Sequence, residues 1–86
     1  MNGGTEGASA SSELVEYLAR RLVEHADQVV VDEVDEDGTL VIRLRVAPDD
    51  LGRVIGRGGR IARAMRTLVR AGGAHGDRRV TLEIVE

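Results

Sequence analysis

The stretch Val54-Ile55-Gly56-Arg57-Gly58-Gly59-Arg60-Ile61 restricts the folds open to this chain more than any other. Apolar residues in helical spacing lie on both sides of it, and glycine stands at each end of a two-residue turn, at Gly56 and Gly59. Glycine reaches backbone conformations that other residues avoid, so two helices can meet here with almost no side chain in the corner. A backbone bared in this way lets another polymer lie close, and exposed N–H groups suit phosphate oxygens. The chain must therefore contain a helix–turn–helix corner, and that corner offers an anion a place to rest.

The flanking segments supply the remaining elements. Residues 1–11 are rich in Gly, Ser, Thr and Ala without apolar periodicity and read as a disordered tail, with residues 12–86 forming one domain. A helix begins near Ser11 or Ser12, either of which can cap it, and runs to about His25 on a stripe of Leu14, Leu18 and Leu22 with Val15 alongside. Val29 to Val34 reads as a strand, and Asp37-Gly38 is a strong hairpin signal. Thr39 to Val46 then alternates, with Leu40, Ile42, Leu44 and Val46 on one face and Val41, Arg43 and Arg45 on the other. That is a strand with one buried side. Pro48 stops it, and Asp49 and Asp50 suit the start of a helix that has room for only about two turns before Gly56.

After Gly59 a longer helix runs from Arg60 to about Ala71. Ile61, Met65 and Leu68 share a face with Ala64 beside them, while Arg63, Arg66 and Arg70 lie roughly opposite, and Gly72-Gly73 ends the helix. The loop Ala74-His75-Gly76-Asp77 leads to a last strand, Arg79 to Val85, with Val80, Leu82 and Ile84 inward. The order α-β-β-α-α-β is an α+β fold. The hairpin makes the first two strands antiparallel, and a two-helix crossover makes the second and third parallel. The prediction is a three-stranded mixed sheet covered by helices on one face.

Charge separates the two halves. The chain carries a net charge of −3, but residues 1–50 hold 4 Arg against 12 Asp or Glu (−8), and residues 51–86 hold 8 Arg against 3 acids (+5). Between Leu51 and Arg70 there are six arginines and no acid. A local field of this kind captures polyanions whatever the overall charge.

Enzymatic readings fail on residue types. A phosphate-binding Walker loop needs lysine, which the chain lacks, and a dinucleotide fingerprint needs glycine where Ile61 stands. His25 and His75 are isolated, no cysteine is present to build a zinc site, and no nucleophile–base pair is visible. The chain reads as a non-enzyme without metal or cofactor. Tyr17 is the sole aromatic residue, which excludes recognition by stacking bases on a sheet. No apolar run approaches the ~20 residues of a membrane span, and the first residues lack the pattern of a signal peptide. The expected location is the cytoplasm.

On these residues the chain resembles the KH domain, whose Gly-x-x-Gly loop clamps about four nucleotides of single-stranded nucleic acid. The extra helix and strand before the β-α-α-β core resemble the type II form, over about residues 12–86. Leu51-Gly52-Arg53-Val54-Ile55-Gly56-Arg57-Gly58-Gly59-Arg60, followed by Ala64-Met65-Arg66-Thr67-Leu68-Val69, is similar to the bacterial single-KH RNA-binding family KhpA. The resemblance implies a small cytoplasmic RNA chaperone that associates with itself and with a larger KH-containing partner, KhpB. It also implies a link to cell elongation and peptidoglycan homeostasis. Gly58 departs from the family, which often carries a larger polar or basic residue there, and so shifts the loop's grip onto Arg57 and the backbone.

The candidate RNA-binding residues follow. Arg57 meets phosphate, Gly56, Gly58 and Gly59 admit the sugar-phosphate backbone, and Arg53 and Arg60 bracket the loop. Val54, Ile55 and Ile61 form core and groove floor, with Ile55 within reach of a base. Arg63 and Arg70 read as a solvated face. Ala62, Leu68 and Val69 are candidate contacts to a second copy, as apolar residues that a monomer leaves partly exposed. Two other readings stand beside this one: an adaptor that uses the fold as a dimerisation surface, with the glycines serving only as a corner, and a single-stranded DNA binder.

Overall fold

The structure, a computed structural model, describes residues 9–72 and 79–85. The expectations for residues 1–8, for Gly73 and for the loop Ala74-His75-Gly76-Asp77 lie outside them. Helix α1 spans Ala10–Leu22. It starts earlier than the serines suggested, because Ser9 is its N-cap and accepts from the Ser12 amide at 3.0 Å. A carboxylate from the sheet fixes that start. Glu33 accepts from the Ser9 amide at 2.7 Å and from the Ser12 hydroxyl, and Ser11 and Ser12 are buried beneath the cap. The helix also ends sooner than expected, at Leu22, and a single 3-10 turn, Ala26–Gln28, leads to the sheet.

Strands β1 (Val30–Glu36) and β2 (Thr39–Arg45) form the hairpin, joined by Asp37 and Gly38 at φ 54° and 87°. Positive φ at both central residues gives a twist that matches the flanking strands. Strand β3 (Arg79–Val85) pairs with β2 in parallel, Ile42 opposite Leu82, so the order is β1-β2-β3 with β3 on an edge. Between β2 and β3 run a 3-10 turn Pro48–Asp50, helix α2 (Leu51–Ile55), the turn Arg57–Gly59 and helix α3 (Arg60–Gly72). Among the described residues the fold is α+β, with a three-stranded mixed sheet and three helices, as the sequence pattern required.

The core lies between the helices and one sheet face, built from Val15 and Ala19 of α1, Ile42 and Leu44 of β2, Val54 of α2, and Val80 and Leu82 of β3. From α3 it takes Met65 and Val69, with Ala62 buried alongside at 4% exposure. This corrects the expected dimer face. Ala62 and Val69 are sealed inside the chain, and only Leu68, 46% exposed, remains available. Apolar residues occupy more than half the circumference of α3, so periodicity alone could not say which part of that arc would meet the sheet. Packing rotated the helix toward Ala62 and Val69 and left the edge at Leu68 open.

Candidate nucleic-acid interface

Helix α2 delivers the chain to the loop. Val54 is fully buried and anchors it, while Leu51 and Ile55 pack on the core from partly exposed positions. The Gly56 amide donates to the Gly52 carbonyl at 2.8 Å and closes the helix. Gly56 then turns at φ 78°, where an added Cβ would sit 2.7 Å from Ile61 Cγ1 and 2.9 Å from the Ile61 amide. Only glycine fits this corner. Gly58 and Gly59 also have positive φ, 64° and 80°, yet open space surrounds the Cβ position of Gly58. A side chain there meets backbone strain but no neighbour, so the larger residue that the resemblance implies at this position has room. The Gly59 amide donates to the Gly56 carbonyl at 3.0 Å and completes the turn.

The arginines divide into three kinds. Arg57 and Arg60 are exposed and have no ion-pair partner among the described residues. Arg63 and Arg66 are tied to backbone: Arg63 Nη2 donates to the Gly58 carbonyl at 3.1 Å, and Arg66 Nε to the Leu82 carbonyl at 3.3 Å. Arg63 is therefore a brace for the loop, beyond the solvated face expected of it. Arg53 brackets the loop in sequence, but its guanidinium is held by Asp50 at 3.1 Å and by Glu24 at 3.0 Å.

Two unlike surfaces leave the loop along α3. On one side Arg66 and Arg70 face Val80, Thr81 and Leu82 across a cleft of about 250 Å³, bounded by the edge strand β3. On the other side a groove of about 370 Å³ runs between α1 and α3. Leu18, Leu22, Ile61, Ala64 and Leu68 line that groove, with Tyr17, Arg21 and Arg60 at its margin. Arg21 lies over the Tyr17 ring, 5.6 Å from its centroid, so the one aromatic side chain is already partnered.

By sequence Asp50 is only an acid near a helix start, and the structure gives it a larger part. It is fully buried and accepts from the Glu24 amide at 3.1 Å, the His25 amide at 2.9 Å, His25 Nδ1 at 3.0 Å and Arg53 Nε at 3.1 Å. Burial alone would raise its pKa, but the hydrogen bonds from Glu24 and His25 and the charge of His25 outweigh it and bring the carboxyl from 3.8 down to about 2. His25 is shifted upward by its hydrogen bond to Asp50 and by the Asp50 charge, with desolvation opposing. No local signal marks this pair, because its partners lie about 25 positions apart in the chain.

Comparison with known proteins finds similarity over most of the chain. The family model for the KhpA/KhpB KH domain matches residues 12–84. The chain is 50% identical to an RNA-binding protein KhpA of Aquifex aeolicus, across 91% of this chain and 99% of the relative. It is 47% identical to the protein of that name in Caldanaerobacter subterraneus, across 85% and 97%, and 45% identical to that of Listeria monocytogenes, across 86% and 97%. These relatives are named for RNA binding and for no reaction, which bears out the non-enzymatic expectation. Among solved structures, a crystal structure of Era from Aquifex aeolicus shares the fold. Its TM-score is 0.59 at 22% identity, over 86% of this chain and 29% of that one.

Proposed function

The chain belongs to the KhpA/KhpB KH-domain family, and from that membership we propose that it holds single-stranded RNA across the Gly56–Gly59 loop and the arginine flank of α3. The observation that carries this reading is the loop itself: a backbone with three glycines at positive φ, beside two arginines with no ion-pair partner among the described residues. Phosphates meet Arg57, Arg60 and the bare backbone. The strand then continues toward Arg66 and Arg70, where the edge of β3 offers backbone groups to bases. Recognition without ring stacking, as membership of the family implies, uses an apolar groove and hydrogen bonds to the bases.

The test replaces Arg57 and Gly58 together by aspartate, placing two carboxylates where phosphate rests. Gly58 has φ 64° and free space around it, so the fold loses only about 1–2 kcal/mol. Affinity for a short unstructured RNA, followed by anisotropy at two salt concentrations, falls by at least about tenfold, because phosphate contacts supply much of the binding. A folded double variant that binds RNA as tightly as the parent reduces the loop to a structural corner. Single-stranded DNA of the same sequence, run in parallel, separates the RNA reading from the DNA one.

The finer reading is a cytoplasmic RNA chaperone acting as a homodimer, or with a larger KH protein of the KhpB kind, in support of cell elongation and peptidoglycan homeostasis. Family membership supports it. For the dimer, the exposed Leu68 and the groove between α1 and α3 replace the contact first expected at Ala62 and Val69. The same surface favours the adaptor reading, and the two part on salt: protein association through apolar residues keeps its strength where RNA binding weakens log-linearly.

A further inference from the structure

We propose that Asp50 positions the Gly56–Gly59 loop by latching the start of α2 to the end of α1, and that Arg53 serves this latch rather than a phosphate. The inference rests on the reading of the loop as the RNA contact. Helix α2 has five residues, and a helix that short has no stability of its own. Its direction, and so the point at which Gly56 emerges, is set by whatever holds its two ends. Val54 holds the C-terminal end in the core. Asp50 holds the N-terminal end.

The carboxylate of Asp50 is sealed from solvent and shares its two oxygens among four donors. Oδ1 takes the Glu24 amide and Arg53 Nε, and Oδ2 takes the His25 amide and Nδ1. Both amides belong to the irregular segment between α1 and the Ala26–Gln28 turn, so no helix or strand ladder holds that segment to α2. A buried carboxylate is costly unless its partners are all in place, and that makes the junction a defined stop rather than a loose contact.

Arg53 closes the arrangement. Its Nε reaches Asp50 and its Nη2 reaches Glu24 Oε2 at 3.0 Å, so two acids surround one guanidinium. Asp49 adds a third carboxylate beside His25. A phosphate approaching this corner meets no net positive field, whereas at Arg57 and Arg60 it meets two cations with no ion-pair partner among the described residues.

Two measurements on the whole chain test the inference. Salt titrations of RNA binding count phosphate contacts, since each contributes about 0.7 to the slope for a single strand. Arg53→Gln leaves the slope of the parent unchanged, while Arg57→Ala reduces it by about 0.7. Amide exchange of Gly56 and Gly59 in the free protein reads the loop directly, and Asp50→Asn accelerates it by about tenfold relative to the parent. Should Asp50→Asn fail to fold, His25→Gln removes one of the four bonds at a part-exposed side chain and gives a smaller acceleration of the same amides. A slope that falls as much for Arg53→Gln as for Arg57→Ala overturns the assignment of Arg53. Unchanged loop exchange in whichever of Asp50→Asn and His25→Gln folds overturns the latch. If instead Arg57→Ala binds RNA like the parent, the RNA reading of the loop fails, and the exchange data still decide whether Asp50 positions it.

Discussion

The two flanks of α3 come from the same 13 residues and point to opposite neighbours. Toward β3 the helix presents Arg66 and Arg70, with Arg66 bonded to the sheet edge at Leu82, while Arg63, about one turn before Arg66, is braced on the loop carbonyl of Gly58. Toward α1 it presents Ile61, Ala64 and Leu68, and almost nothing polar meets them in the groove. Between the two, Ala62, Met65 and Val69 hold the helix in the core. One buried ridge therefore separates a cationic surface from an apolar one. On the proposed reading a polyanion and a protein partner take different flanks and meet at the loop end of the helix, where Arg60 and Ile61, both candidate RNA contacts, also line the groove.

Gly56 is where the comparison breaks first, since both flanks depend on the angle at which α3 leaves the loop. Gly56→Ala drives a methyl group into Ile61 and forces a positive φ. A loss of about 3 kcal/mol is expected in urea unfolding, with RNA binding and self-association failing together. Gly58→Ala, in open space, costs only about 1 kcal/mol and spares self-association.

Next in size comes the cationic flank alone. Arg66→Ala with Arg70→Ala lowers RNA affinity by about tenfold and reduces the salt slope by about 1.4 if both meet phosphate. The mass in solution stays the same, which light scattering checks. An equal loss of affinity at all salt concentrations assigns these arginines to bases or to bracing β3 instead.

The apolar flank answers to Leu68→Asp. At 46% exposure this residue is a surface site, and its substitution changes stability by about 0.5 kcal/mol or less. On the proposed homodimer, the variant runs as a monomer at concentrations where the parent associates, and RNA affinity falls only as far as a second site strengthens it. A variant that stays dimeric moves the interface elsewhere.

The smallest effect is a pH dependence at the corner that aims both flanks. His25 titrates upward from 6.5, chiefly through its bond to Asp50, so its contribution is complete below pH 6.5 and disappears as pH rises through the elevated pKa. Asp50 is lowered from 3.8 to about 2, so its contribution is complete above pH 3.8 and is lost as pH falls toward 2. The pair thus stabilises most between pH 3.8 and 6.5. Melting temperatures measured from pH 5 to 8 should decline for the parent and decline less for His25→Gln.

Much of this was legible in the residues. The alternation in β2, the Asp37-Gly38 turn and the glycine corner fixed the element order, and a short hairpin followed by a two-helix crossover left one sheet topology. The loop residues of the candidate site were legible for the same reason, because φ preference and steric room are properties of a few consecutive positions. Sequence alone placed a run of arginines beside the loop but could not sort them. Arg53, Arg57 and Arg60 look alike in a list of cations, and only their neighbours tell a neutralised guanidinium from one with no ion-pair partner among the described residues. The start of α1 escapes local reading on the same account, since Ser9 caps the helix where Glu33 of the sheet accepts from both the Ser9 amide and the Ser12 hydroxyl.

By itself, then, the sequence determined the elements, their order, the basic half and the glycine turn, all of which depend on local backbone energetics and residue periodicity. Tertiary structure decided the rotation of α3, the burial of Ala62 and Val69, the pairing of Asp50 with His25 and the division of the arginines. Each of these depends on which side chains packing brings together from distant parts of the chain. A stripe that covers more than half a helix specifies that the helix will be buried, and only the shape of the sheet and helices it meets specifies which edge stays outside.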